Sequence, residues 1–324
     1  MIEVVCLGEL LIDFVSIDRD VSLIESTGFQ KAPGGAPANV AVGVKKLQVN
    51  SSFVGKVGKD PFGYYLKEVL DGTGVDTSGL VFDEAAKTTL SFVANKSDGI
   101  RDCVFYRNPG ADMLLEPFEV SENLFKAAKI FHYGSISLGS EKSKAATLKA
   151  IEYAKVHKLV ISYDPNYRPD LWKDKEKARN EMNQAIQYAD FVKISEEEFE
   201  FITGCKTVEE CAAYILSKGP KLVAITLGGK GCFYSDGIHQ GYLDGFAVQT
   251  VETTGAGDAF VAAVLKKIVE RIDFNLKVFP ENSEELVEMM VFANAAGALA
   301  TTKVGAIPSM PSVEEVMQLI KKVV

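Results

Sequence analysis

Histidine, cysteine and positive charge are all scarce in this chain, and each scarcity removes a class of function. The three histidines, His132, His157 and His239, lie far apart in apolar or turn surroundings, where satisfied structural imidazoles are expected rather than a metal cluster. The five cysteines, at 6, 103, 205, 211 and 232, are odd in number and match no metal-ligand spacing. They are expected to be reduced thiols in a cytoplasmic protein. Lys and Arg number 35 against 44 Asp and Glu, a net charge of −9. The sequence pI of about 5.1 argues against nucleic acid or an anionic membrane as a partner. No run of ~18 apolar residues occurs, so no spanning helix is expected. Residues 1–7 are apolar, but Glu9 and Asp13 follow and no basic region precedes them, so no signal peptide is expected. Low-complexity tracts and short repeats are absent.

What is present is the composition of a soluble globule: 324 residues, 47% hydrophobic and 24% charged, enough for one large α/β unit or two domains. Short apolar runs at 4–8, 52–57, 130–133, 159–163, 191–194 and 222–227 read as core strands. Longer amphipathic runs at 38–47, 62–70, 141–157, 175–188, 208–217, 258–272, 283–302 and 313–323 read as helices. Strands alternating with helices predict an α/β fold with a mostly parallel sheet covered on both faces. Two stretches, 14–31 and 88–107, break the alternation and read as additional β-structure.

The stretch Thr253-Thr254-Gly255-Ala256-Gly257-Asp258-Ala259-Phe260 carries the most chemistry. Residues 246–251 before it alternate like a strand, and Phe260, Val261, Val264, Leu265, Ile268, Val269 and Ile272 after it recur like a buried helix face. The glycine turn is therefore expected where a strand hands over to a helix. Small residues admit a ligand close to the backbone, and the N–H groups of a first helical turn attract oxyanions. Asp258 falls in that turn. A carboxylate beside oxyanion donors suits phosphoryl transfer to a hydroxyl: the acid orients the hydroxyl and takes its proton. By itself the motif also reads as a glycine turn with an acid favoured by the helix dipole.

A second glycine pair, Gly34-Gly35-Ala36-Pro37-Ala38-Asn39, precedes a helix whose apolar face is Val40, Val44 and Leu47. Pro37 suits a first-turn position. Asn39 is disfavoured inside a helix start. It reads either as a late cap or as an amide offered to a polyol. Paired with Asp258, it suggests a sugar held at one helix start and a phosphate at another.

With these residues in view the chain resembles the ribokinase-like (PfkB) family of carbohydrate kinases from Glu3 to about Ser312. The signature regions stand here as GGAPANVAVGVKKL (34–47) and ETTGAGDAFVAAVL (252–265). GELLIDF (8–14), VGKVGKDPFGYYL (54–66), FYRNPGADMLL (105–115), DPNYRPDLW (164–172) and FANAAGALATTKVGAIPSMPS (292–312) narrow the resemblance toward fructokinases. The resemblance implies one ribokinase-like domain over residues 1–324, with a small β-sheet lid from the 14–31 and 88–107 segments, and a homodimer formed through that lid. It implies ATP-dependent phosphorylation of fructose at its 6-hydroxyl, with Mg²⁺ accompanying ATP; a 2-keto-3-deoxygluconate kinase is the second reading. Asp258 would be the base, and Gly255, Ala256 and Gly257 would hold the γ-phosphate. The sugar would touch Asp13, Gly34, Gly35 and Asn39, with Asp13 expected at the C-terminal end of an apolar strand, where open α/β sheets place ligands.

Arg107 and Arg168, in Pro- and Asn-rich loops, read as clamps on sugar or phosphate, or else as surface ion pairs. Ser195-Glu196-Glu197-Glu198 reads as a capping box at a helix start. By resemblance it falls on the Asn-x-x-Glu motif that organises magnesium through water, with Ser195 in place of Asn and Glu198 as the metal-side acid. Thr226, Gly228 and Gly231 match the nucleotide loop, and Asn294 the adenine site. A K⁺ site is implied at Glu252, Thr254, Ala300, Lys303, Gly305 and Ser309, with Glu252 replacing an Asp. A scaffold that has lost its base is disfavoured by Asp258 and the intact anion loop, and a sugar-binding regulatory module would bind without turnover.

Overall fold

The computed structural model describes residues 1–95 and 101–323. In chain order its strands are β1 (Val4–Leu7), β2 (Leu11–Ser16), β3 (Phe29–Gly34), β4 (Ser51–Gly58), β5 (Asp76–Asp83), β6 (Leu90–Asn95), β7 (Arg101–Tyr106), β8 (Ile130–Gly134), β9 (Val160–Asp164), β10 (Phe191–Ser195), β11 (Leu222–Thr226), β12 (Gly231–Ser235) and β13 (Gln240–Asp244). The helices are α1 (Ala36–Lys46), α2 (Pro61–Thr73), α3 (Glu141–Val156), α4 (Lys175–Ala185), α5 (Phe199–Thr203), α6 (Val208–Ser217), α7 (Ala256–Asp273), α8 (Ser283–Ala300), α9 (Ala306–Ser309) and α10 (Val313–Val323).

Nine strands form one sheet in the order β13-β12-β11-β10-β9-β8-β1-β4-β5, parallel from β11 through β5 and antiparallel at the β12 and β13 edge. The central strands are largely apolar on both sides because helices cover both faces, with His132, Ser162 and Lys193 as buried polar residues among them. Val4 and Cys6 of β1 pack with α1, α7 and α8, whereas Val5 and Leu7 pack with α3, α4 and α6. Each large side chain so buried contributes about 1.5–3 kcal/mol. Helix α7 is apolar nearly all round, burying ten residues from Asp258 to Val269, because α1 and α8 flank it. No helix among the described residues is long and apolar enough to cross a membrane.

A second sheet has the order β3-β2-β6-β7, with β2 and β6 parallel and the outer pairs antiparallel. It uses both stretches that break the α/β alternation; residues 96–100 of the second lie outside the described residues. The pair β2–β3 returns the chain directly into α1.

The expected strands and helices are all found to within a few residues, with one exception. Residues 246–251 form no strand. β13 is the sheet edge, so no neighbouring strand pairs with the segment that follows it, and the N–H groups of Val251 and Glu252 turn to the Thr301 carbonyl (2.7 and 3.1 Å). Asp13 also departs from expectation: it lies inside β2 of the second sheet, not at the end of a central strand. The 195–198 stretch does not cap a helix with its serine. Ser195 ends β10, Glu198 is the N-cap of α5 with no side-chain cap, and only the Glu198 half of the box forms, taking the Ser195 N–H at 2.8 Å.

Asp60 ties the two sheets together. Its carboxylate caps α2 through the N–H groups of Phe62 (3.0 Å) and Gly63 (2.9 Å). It also takes the N–H and hydroxyl of Thr88 (both 2.8 Å), just before β6. Burial raises the Asp60 pKa, but these hydrogen bonds outweigh it and leave the carboxyl below its usual range. A depressed folded pKa gives stability that is present above the unfolded value and lost as pH falls through the folded one. Asp60→Ala is therefore expected to lower unfolding stability by about 2 kcal/mol at neutral pH, the upper end for a lost N-cap. In denaturant titrations the deficit should shrink as pH drops below ~4.

Candidate active site

Two helix N-termini meet in the interior. Helix α1 begins after Gly35, whose φ of 118° only glycine adopts without strain. A Cβ on Gly35 would stand 2.2 Å from the Glu9 carbonyl oxygen, and one on Gly34 would stand 2.3 Å from Asp13 Oδ2. The glycine pair thus lets β3 turn into α1 against Glu9 and places the Asp13 carboxylate at the turn. Ser91 on β6 donates its hydroxyl to Asp13 Oδ1. The buried Glu9 side chain takes the Ala36 N–H at 2.9 Å, and burial pushes its carboxyl up to about 7.

Helix α7 begins after Gly255, again left-handed at φ 86°. The Ala256 N–H is taken by the Thr253 carbonyl (3.3 Å), while the next N–H groups of the first turn lack intrahelical carbonyls. Asp258 is in that turn and only 7% exposed. Asn39, in the first turn of α1, donates Nδ2 to Asp258 Oδ2 at 2.9 Å, while Asn39 Oδ1 is buried with no hydrogen-bond partner in the structure. The sugar-side and phosphate-side helices expected from sequence are thereby joined by one hydrogen bond. Burial raises the Asp258 pKa; the Asn39 bond and the charges of Lys193 and Arg168 pull against it without cancelling it.

The central strand ends add charges that sequence reasoning passed over. Lys193 of β10 and Asp164 of β9 form a buried pair at 3.1 Å. The ammonium is held charged by Asp164 and Glu198 against the desolvation of the site. The signal was legible: a lysine inside an apolar parallel strand demands a buried counter-charge. Arg107 is no surface pair but a buried one, its Nη2 2.6 Å and its Nε 2.8 Å from Asp112. Arg168 is exposed, close enough to Asp258 to act on it by charge.

Glu198 spends both oxygens on backbone, taking the Ser195 N–H at 2.8 Å and the Tyr167 N–H at 2.7 Å, beside Arg168. Thr226 ends β11, and Gly228 and Gly231 follow with φ of 58° and 105°. Asn294 of α8 donates to the Leu243 and Asp244 carbonyls (3.4 and 3.3 Å), fastening β13. Among the residues of the expected cation site, Glu252 Oε2 takes the Gly305 N–H at 2.9 Å and so does not simply face solvent. Ser309 donates to the Ala306 carbonyl (2.8 Å), the Lys303 ammonium turns away to Glu315 (2.8 Å), and Ala300 is buried at the end of α8. Thr254 stands one residue before Gly255.

This fold, with a buried acid in a glycine-led helix turn, is that of a sugar kinase: residues 1–313 match the pfkB family of carbohydrate kinases, and the chain belongs to it. Fructokinase-1 of Zea mays is 49% identical over 320 residues, 98% of each chain. The crystal structure of a fructokinase with bound ATP from Xylella fastidiosa superposes with a TM-score of 0.88 at 33% identity, covering 99% of this chain and 98% of that one. A fructokinase double mutant from Vibrio cholerae O395, in a fructose-, ADP- and potassium-bound form, gives 0.86 at 33% identity over 99% and 98%.

Gly35→Ala tests the turn that shapes the sugar side. The added methyl meets backbone, not a movable side chain, and the left-handed φ adds strain. Thermal unfolding is expected to show a loss well above ~1 kcal/mol, with Gly72→Ala, where a Cβ meets nothing within 4 Å, as the tolerant control.

Proposed function

We propose that the protein is an ATP-dependent fructokinase that transfers the γ-phosphate of ATP to the 6-hydroxyl of D-fructose, giving fructose 6-phosphate and ADP. The observation that carries this reading is the buried Asp258 carboxylate, set in the N–H-lined first turn of α7 and bonded to Asn39 from the opposing helix. Fructose lies against Asp13, Gly34, Gly35 and Asn39. The γ-phosphate lies over Gly255, Ala256 and Gly257, whose N–H groups take up charge as the transfer proceeds. Asp258 receives the proton of the attacking hydroxyl. The raised pKa of Asp258 makes its carboxylate a better proton acceptor than an ordinary aspartate.

ATP extends toward Thr226, Gly228 and Gly231, with Ser195 and Asn294 on its other sides. Mg²⁺ rides on the nucleotide oxygens in its preferred all-oxygen shell. Both Glu198 oxygens hold backbone N–H groups, so Glu198 would act on a bound Mg²⁺ through water. The four-stranded sheet is the lid of a single domain, and its exposed Val104 and Tyr106 offer a surface for a homodimer. We place the enzyme in the cytoplasm. Fructose is favoured over 2-keto-3-deoxygluconate because Asp112 already neutralises Arg107, which leaves no surplus charge there for a sugar carboxylate.

The decisive assay is ADP release on a sugar panel with Mg²⁺ and ATP. kcat/KM is expected to be highest for fructose; a higher value for 2-keto-3-deoxygluconate would select the second reading. Asp258→Ala should cut kcat by roughly a hundred- to ten-thousand-fold, with a much smaller change in fructose binding. Retained turnover would remove Asp258 from the chemistry.

A K⁺ site at Glu252, Thr254, Ala300, Lys303, Gly305 and Ser309 belongs to the same proposal. Its leverage on catalysis comes from packing, since a Cβ on Gly255 would lie 3.0 Å from the Ala306 Cβ, next to Gly305. An ion there would stiffen the 255–257 turn and raise kcat more than it lowers KM. In a buffer whose only cations are Tris and Mg²⁺, added KCl is expected to activate more than NaCl. Equal rates under all conditions would mean that protein packing alone orders the turn.

A further inference from the structure

Beneath the α7 turn lies a buried cation that the reading above does not use. Val192 of β10 pairs with Tyr163 of β9, so the next residue, Lys193, stands beside Asp164 at the strand ends. The side chains are 6% and 4% exposed, and Nζ lies 3.1 Å from Asp164 Oδ2. The same Nζ lies 3.0 Å from the position a Cβ on Gly257 would occupy. The ammonium therefore touches the underside of the turn that carries Asp258. A lysine needed only to fill the core is an unfavourable choice here, since a buried ion pair stabilises no better than apolar residues of like volume.

We propose that Lys193 is a positioning residue for the phosphoryl transfer: its buried ammonium is the fixed counter-charge for Asp258 and for the anion held at the Gly255–Gly257 turn. This inference rests on the kinase reading of the same site. Asp164 orients the ammonium, and the Glu198 carboxylate also acts on it by charge. Lys193 and Arg168 are the cations that act on Asp258, with the Asn39 amide as its hydrogen-bond donor. His132, on β8 of the same face, is bonded to Ser162 (3.0 Å); burial first and the Lys193 charge second push its imidazole down to about 3. The histidine is therefore neutral and adds no competing charge. Arg168 is exposed and screened by water, which leaves Lys193 as the cation held at low dielectric.

The test uses Lys193→Met and the double variant Lys193→Met/Asp164→Asn. The double variant removes both partners of the pair and stands in if the single one fails to fold, with Asp164→Asn alone as its reference. Two measurements separate this inference from the reading on which it rests. The first is the carboxyl titration of Asp258 without substrate, by infrared difference against Asp258→Asn. Removing the ammonium is expected to raise its midpoint by about one pH unit or more, the effect of losing an opposite charge at short range. The second is turnover with fructose and Mg-ATP. A loss of kcat of roughly ten- to a hundredfold is expected with KM for fructose little changed, and the acidic limb of kcat/KM should move up with the titration. An unmoved Asp258 titration, or parental kcat in a folded variant, would reduce Lys193 to a core ion pair and overturn the inference. A parent protein inactive on every sugar would instead sink the kinase reading, and the titration would still decide the counter-charge.

Discussion

The hydrogen bond from Asn39 to Asp258 joins residues 219 positions apart in sequence, and the geometry of the site depends on it. Asn39 belongs to the helix that receives the chain from the small sheet, and Asp258 to the helix that follows the glycine turn. For the bond to form, both helices must begin at the same depth and point their N-termini into one space. That requires α1 to pack along α7, and it is why both faces of α7 are apolar and α8 closes its far side. The glycines at 35 and 255 are the local counterpart of that packing. Each supplies a left-handed residue immediately before a helix, so that the chain can arrive from the correct side. Such residues lower stability relative to alanine in regular backbone, and the core around α7 offsets the loss.

Electrostatics divide the molecule into two regimes. Over the surface the net charge is negative, which repels a nucleotide at long range within the ~8–10 Å screening length. Inside the cleft the balance is set by fixed dipoles and single buried charges. Asp258, Asp164, Glu9 and Glu198 are all buried carboxylates, and burial alone would neutralise several of them. The structure answers each differently. Glu9 and Glu198 are spent on backbone N–H groups, Asp164 on a lysine, and Asp258 on an amide. Burial still leaves Glu9, Asp164 and Asp258 above the usual carboxylate range, so these partners orient the acids without cancelling their desolvation.

The architecture was legible in the sequence to the extent that it is periodic. Buried strands such as 130–134 and 222–226 are short apolar runs, and the long helices carry clear three- and four-residue repeats, so existence and order came out correctly. The segments missed were β5, β12, β13, α5 and α9. β13 alternates exposed and half-buried residues at a sheet edge, and α5 and α9 are five and four residues long, too short for any helical period. The 246–251 alternation misled because a strand needs a neighbour, and sequence alone does not say where a sheet ends. At the site, Asp258, Asn39 and the glycines were read from local grammar, since helix starts and tight turns are local. Lys193 and Asp164 were not singled out because their meaning is a pairing across two strands.

The second sheet poses the remaining physical question, which is how its residues are held against the helix starts. Asp13 lies in that sheet while Asn39 and Asp258 lie in α1 and α7, so the residues proposed to meet the sugar come from two sheets linked by β3, the Thr88–Asp60 contact and the packing of Phe14 on Phe62 (centroids 5.7 Å apart). Further contacts come from both edge strands, β3 against α9 and β7 against the 169–171 segment. The β6–β7 end carries its own aromatic cluster, with Phe92 against Phe14, Phe29 and Tyr106 at 5.0–5.6 Å. That cluster stiffens the sheet internally, and Phe14 connects it to Phe62 of α2. A sheet that is rigid within itself and held at both edge strands keeps Asp13 in a defined place relative to the two helix starts. Asp258 is already buried without any movement of that sheet, so its shielding from water comes from the packing of α1 against α7 and the strand ends beneath them.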